Sequence, residues 1–186
     1  MAAGIMERAY VWDRFVRLHH WSLATLVLAN HFILDGPAHR WAGYAGLALV
    51  CARLVWGVAG SPHARFAAFL PTPARLRVHF ARPGTAPRGH NPLGAAMVLA
   101  MLALVVSLGI TGWLMRSDAY WGEAWLEDLH QALANGLLVC AALHVAGVAA
   151  ASLTWRINLP RAMLTGYKVR SIRSAPFEDR GTPGPD

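Results

Sequence analysis

Residues 129–148 read LHQALANGLLVCAALHVAGV, and the reading of this stretch decides the fold. From Gln131 to Trp155 the chain contains no Asp, Glu, Lys or Arg. A bilayer core of about 30 Å is crossed by roughly 20 apolar residues of helix, so the segment is long enough to span one. Lipid offers no partner to backbone amides and carbonyls, and a helix satisfies them within the segment. Two histidines, His130 and His144, stand inside or at the edge of this run. An imidazole in hydrocarbon costs stability unless its ring nitrogens find partners. The Ala, Leu, Val and Gly around these two offer none.

The rest of the chain repeats the pattern. Of 186 residues, 55% are hydrophobic and only 15% charged, with a mean hydropathy of +0.35; soluble domains carry about 25% charge. Leu18–Leu34 and Pro92–Met115 contain no charged residue, and Trp41–Ala59 contains Arg53 alone. The expected fold is all-α, an integral membrane four-helix bundle with helices at about 15–34, 39–59, 92–115 and 128–154. The first apolar run starts late and is too long for a signal core, so it is expected to stay as the first span.

Arginine sets the orientation. The chain ends and the 60–91 loop hold most of the Lys and Arg, among them Arg8, Arg14, Arg17, Arg75, Arg77, Arg156 and Lys168. The other two connections hold only Arg40 and Arg116, beside Asp35, Asp118, Glu123, Glu127 and Asp128. The positive-inside rule then puts both termini and the 60–91 loop in the cytoplasm. The net charge of +7 is a topology signal. No nucleic-acid partner is expected, because the basic residues sit at helix ends without an aromatic–basic binding motif. Cys51 and Cys140 fall inside predicted helices as small apolar filler, and no CxxCH motif for covalent haem occurs.

Between the spans the sequence is punctuated. DGP at 35–37 breaks the chain into a short outer turn. Within the middle loop, TPARLRVHFAR (72–82) places Thr72 as an N-cap and Pro73 at the first helical position. Its apolar residues alternate with arginines, as in a piece lying on an anionic membrane surface. The last twelve residues, APFEDRGTPGPD, have the composition of a disordered tail.

Nine histidines are present. His63, His79 and His90 belong to the middle loop. His130 and His144 lie 14 residues apart, which leaves them roughly 40° apart around a helix and about 21 Å apart along it. They share a face but cannot bind one metal together. Each therefore calls for a ligand from another helix. With alternating helix directions, His39 at the outer start of the second span can face His130, and His19 or His20 at the inner start of the first can face His144. His31 has no counterpart. Two cross-membrane pairs result. Structural zinc takes four ligands and catalytic zinc three plus water, whereas haem iron takes two axial groups. Small residues one turn from each histidine would open a flat slot: Ala24, Gly43, Ala134 and Gly147, with Gly109 and Gly112 allowing close approach on the third span.

VWDRFVRLHHW (11–21), HRWAGYAGLALVCARLVWG (39–57), GHNPLGA (89–95) and LHQALANGLLVCAALHVAG (129–147) together resemble the prokaryotic cytochrome b-561 family, over Tyr10–Tyr167. This family of four-helix dihaem membrane proteins is similar to the b-type cytochrome subunits of membrane hydrogenases. The resemblance implies two non-covalent haem b groups, with His20 and His144 ligating the inner iron and His39 and His130 the outer. It makes His20, the histidine directly before Trp, the ligand rather than His19. It implies electron transfer in a bacterial inner membrane between a quinone or quinol pool and a periplasmic or membrane-bound redox protein, such as a cytochrome c. Whether the chain is itself a quinol oxidoreductase, or the membrane subunit of one, stays open at this level. A second copy, in a homodimer, is a further expected partner beside membrane lipid. A charge inside a span needs a partner, and propionates are candidates for Arg53 at the inner haem and Arg40 at the outer, against snorkelling to the headgroups.

Two other functions fit histidines in spans. One is a transition-metal transporter with a histidine relay, disfavoured by the lack of intramembrane Asp or Glu and of Met clusters beside the histidines. The other is an assembly subunit of a membrane complex in which the imidazoles only bond helices. The outer residues Asp118, Glu123, Glu127 and Asp128 form an acidic stretch that is either solvated or a dock for a basic protein.

Overall fold

The computed structural model describes residues 6–62, 64–70, 72, 73, 77 and 92–171. Most of this length is helical. Four long helices carry it: α1 (Arg14–Phe32), α2 (Gly36–Ala59), α3 (Pro92–Leu114) and α4 (Ala124–Trp155). A single helical turn, Phe66–Phe69, follows α2, and α5 (Leu159–Thr165) follows α4. Two strands, β1 (Met6–Tyr10) and β2 (Tyr167–Ser171), pair antiparallel with Tyr10 opposite Tyr167.

By length and composition α2, α3 and α4 can each cross a membrane. α1 is not among them, although its 19 residues reach about 28 Å. Arg14 and Arg17 in its opening turn lower its hydropathy. Two helices start earlier than the sequence indicates. The DGP break is the beginning of α2 rather than a loop: Asp35 is the N-cap residue and Pro37 sits in the first turn, where no amide hydrogen is needed. Gly36 makes the join at φ +48°, a left-handed conformation that glycine takes without strain. His39 thus lies inside α2 and not at its first residue. α4 opens at Ala124, so exposed Glu127 and Asp128 ride its first turns, where negative charge complements the helix dipole.

α1 packs on α2, α2 on α3 and α3 on α4, the last pair most extensively; neither α1 nor α2 packs comparably on α4. The buried core is small and sits where α2, α3 and α4 meet, on Val50, Leu102, Val105 and Leu137. Large apolar side chains point outward instead, among them Leu28, Val55, Ile110, Val139 and Leu143. A continuous apolar exterior of this kind is what a membrane-embedded surface presents.

One end of the bundle is clasped. The amides of Val11 and Trp12 both donate to the carbonyl of Gly166, and Arg17 donates to the carbonyl of Leu164. Gly166 adopts φ +89°, and a Cβ there would lie 2.8 Å from the Trp12 carbonyl oxygen, so both backbone shape and space call for glycine. Lys168 of β2 is 2% exposed, with its ammonium 5.9 Å from the centre of the Trp12 ring. Burial pushes its pKa down to about 8. Asp13 caps α1 by accepting from the Val16 amide at 2.8 Å. Its other oxygen accepts from Trp56 Nε1 at 3.0 Å and from the Ser61 hydroxyl. Partial burial raises the Asp13 pKa, but these donors, Ser61 foremost, outweigh it and hold the carboxyl below its ordinary value. The cap thereby ties the start of α1 to the end of α2.

The strand pair is absent from the sequence reading, since two five-residue segments at opposite ends of the chain carry no local hairpin signal. Of the surface segment proposed at 72–82, only 72, 73 and 77 are described; the tail at 175–186 lies outside the described residues.

Candidate functional site

His20 stands in the second turn of α1 and His144 in the second half of α4. Their ring centres are 6.2 Å apart and their planes are inclined at 56°. His39 near the start of α2 and His130 near the start of α4 repeat the arrangement, at 6.2 Å and 63°. A metal-bound imidazole nitrogen lies about 2.0–2.1 Å from the metal and roughly 1.1 Å from its own ring centre, so two rings on opposite sides of one metal have centres about 6.3 Å apart. Both pairs have the spacing of axial ligands to a single ion. Each also joins two helices that do not otherwise pack closely on one another, as expected of a bundle held open around a flat group.

His19 is excluded from its neighbour's pair by helix geometry. Successive residues point about 100° apart, and the buried His19 ring lies over Phe15 at 6.1 Å with a hydrogen bond to the backbone of Leu49. Its Nε2 is buried without a partner among the described residues.

The His39–His130 pair borders a cavity of about 950 Å³, at the upper end of the roughly 300–1,000 Å³ range of cofactor pockets. Gly43, Val105, Ala134, Leu137 and Arg40 contribute to its walls, as does His31. The small residues one turn from His39 and His130 therefore line this opening, as the spacing predicts. Gly112 on α3 borders it too, and a Cβ there would come 3.3 Å from His130 Cε1.

The far nitrogens of this pair are held. His39 Nδ1 lies 3.2 Å from the carbonyl oxygen of Asn30, which can only accept, so Nδ1 carries the proton. His130 Nδ1 lies 2.8 Å from the Thr111 hydroxyl. That hydroxyl donates to the Ser107 carbonyl at 2.9 Å, which leaves its oxygen to accept from His130. Both rings thus keep Nε2 free for a metal, in the arrangement that orients metal-ligating histidines generally. Neither Asn30 nor Thr111 is flagged by sequence reasoning. The available signal was Thr111 itself, a hydroxyl between glycines in the otherwise apolar LGITGW.

Arg53 is 4% exposed. Its Nη2 donates to the Ala64 carbonyl at 3.0 Å and its guanidinium lies 5.0 Å from the centre of the Phe66 ring. These contacts bind it to the segment after α2, which sequence reasoning had not foreseen. Its Nη1 is buried without a hydrogen bond among the described residues. Among these residues no group of three or more His, Cys, Asp or Glu assembles; the histidines meet only in twos, one short of the smallest zinc set.

Apolar helices joined by facing imidazoles define the class, a helical membrane protein with paired histidines between its helices. The family model for prokaryotic cytochrome b561 matches residues 11–166, and the chain belongs to that family. It is accordingly a membrane b-type cytochrome of electron transfer, with haem b as its cofactor. No curated protein and no solved structure matches it.

Proposed function

We propose that this cytochrome carries two haem b groups and passes electrons across a bacterial inner membrane, between a quinone pool and a protein redox partner. The observation that carries the reading is the pair of cross-helix histidine couples, each with ring centres 6.2 Å apart. When bound, each haem supplies a one-electron ferric–ferrous couple. The chain's own residues do the rest. His20 and His144 hold one group, and His39 and His130 the other. Asn30 and Thr111 fix the second pair's protonation and ring direction. Arg40 on the cavity wall, and the Nη1 of Arg53, are the cations for propionates. Helix exteriors exclude water, and a low-dielectric surround tunes potential.

In this reading α1 is the fourth span, and both termini lie in the cytoplasm with the arginine-rich loop. The clasped end is then cytoplasmic and the His39–His130 cavity periplasmic. Asp118, Glu123, Glu127 and Asp128 are exposed on that outer side, where they offer a basic partner such as a cytochrome c a docking face. If removing these charges leaves electron transfer and its salt dependence unchanged, the partner docks elsewhere.

The test of the cofactor reading is haem per polypeptide by pyridine haemochrome, with a reduced-minus-oxidised spectrum on the detergent-purified protein. Two b-type haems per chain are expected. One would remove a histidine pair from the proposal, and none would overturn it.

A further inference from the structure

α3 supplies no histidine to either pair, yet two adjacent residues on it bear directly on the His130 ring. Thr111 is 6% exposed and lies in the α3–α4 contact. Its hydroxyl has one proton, and the Ser107 carbonyl four residues back takes it at 2.9 Å, with the Leu108 carbonyl at 3.2 Å sharing the direction. The oxygen is left as a fixed acceptor 2.8 Å from His130 Nδ1. Gly112, the next residue, supplies the clearance, since a Cβ there would press on His130 Cε1 at 3.3 Å. One residue holds the ring and its neighbour leaves room for it.

We infer that Thr111 is a positioning residue for the outer haem, acting through His130 to fix its ring and lower that haem's potential selectively. The inference rests on the two-haem reading. A hydrogen bond from Nδ1–H to a fixed acceptor polarises the imidazole and makes Nε2 a stronger donor. A stronger donor favours the ferric over the ferrous iron. The Asn30 carbonyl does the same for His39, but it is backbone and no substitution removes it. Thr111 is the side chain through which this site is tuned.

Thr111→Val keeps the shape of the side chain and removes the acceptor. In the purified two-haem protein, redox titration should then show one potential rising while the other stays. Loss of an outer-shell partner weakens metal holding by about 10–100-fold; each tenfold preferential loss of ferric affinity is an upward shift of about 59 mV for one electron. Thr111→Ser, which restores the hydroxyl, should return the potential toward the wild-type value. The low-spin ferric signal of the same haem should move in the Val variant and return in the Ser variant. A Val variant with two haems and both potentials unmoved overturns the inference, as does a shift that Ser fails to rescue. Should the Val variant not accumulate, Thr111→Ala is read the same way. Haem content of the wild type is measured first: fewer than two haems overturns the two-haem reading itself, whereas two haems with unmoved potentials overturns only the role of Thr111.

Discussion

Replacing His130 by Ala should leave the purified protein with one haem where the wild type has two, and His144→Ala should do the same at the other site. Pyridine haemochrome counts the loss directly, and equal loss of both haems in either variant would show that the pairs are not separate sites. The ring planes within the pairs are inclined at 63° and 56°. In the two-haem reading these rings are the axial ligands, and rings far from parallel leave two iron d orbitals close in energy, so the ferric protein should give strongly anisotropic low-spin resonance signals. Asp13 is the residue to test for stability. Asp13→Ala removes a cap, at about 0.5–2 kcal/mol, and strands donors on Trp56 and Ser61 as well, a loss that thermal unfolding in detergent would register. Its folded-state pKa is depressed, so the carboxylate stabilises the fold above the unfolded value of 3.8 and ceases to do so as pH falls through the lower folded value. Asp13→Asn should therefore flatten the acid limb of the stability profile. The pairing of His20 with His144 and of His39 with His130 was legible because an imidazole in an apolar run needs a partner. Thr111 was not, because a threonine in a helix usually bonds its own preceding turn, and only the facing ring reveals the second role of its oxygen.

At the scale of the elements, the clasp adds a pH response of the same sign at the alkaline end. Lys168 titrates near 8 in the fold and near 10.5 when unfolded. Between those values the unfolded chain binds the extra proton, so stability rises with pH across that window and is flat below it. Lys168→Met should abolish the slope, and an unfolding midpoint that still climbs from pH 8 to 10 in that variant would assign it to another group. At the far end of α2, Gly57 faces the Phe66 ring so closely that an added Cβ would lie 2.1 Å from it. Gly57→Ala should displace the ring on which Arg53 rests, costing about 1–3 kcal/mol in a thermal-shift measurement. The apolar runs read out the long helices within a few residues. Their starts moved where capping decides: Asp35 and Pro37 open α2 although the same residues read as a break. The strand pair could not be read, because a ladder between residues 6–10 and 167–171 depends on where the helices bring the chain ends, and no local pattern encodes that.

The whole molecule is organised around gaps rather than around a core. Its buried apolar cluster is small, and each histidine pair bridges helices that make little other contact. The topology proposed from its arginines has a direct test. A cysteine at Asp118 should react with a membrane-impermeant maleimide in intact cells, while one at Arg65 should react only after lysis; the reverse pattern would invert the molecule. One consequence concerns time. Each histidine pair takes one member from α4, the last of the long helices, and the other from α1 or α2, the first two. A nascent chain that has inserted three helices holds half of each pair and no complete site. In the two-haem reading, cofactor loading must then wait until α4 has been made, and both sites become competent together. The strand that follows α5 is made after all four long helices, so the clasp closes over a bundle whose paired histidines have only just met.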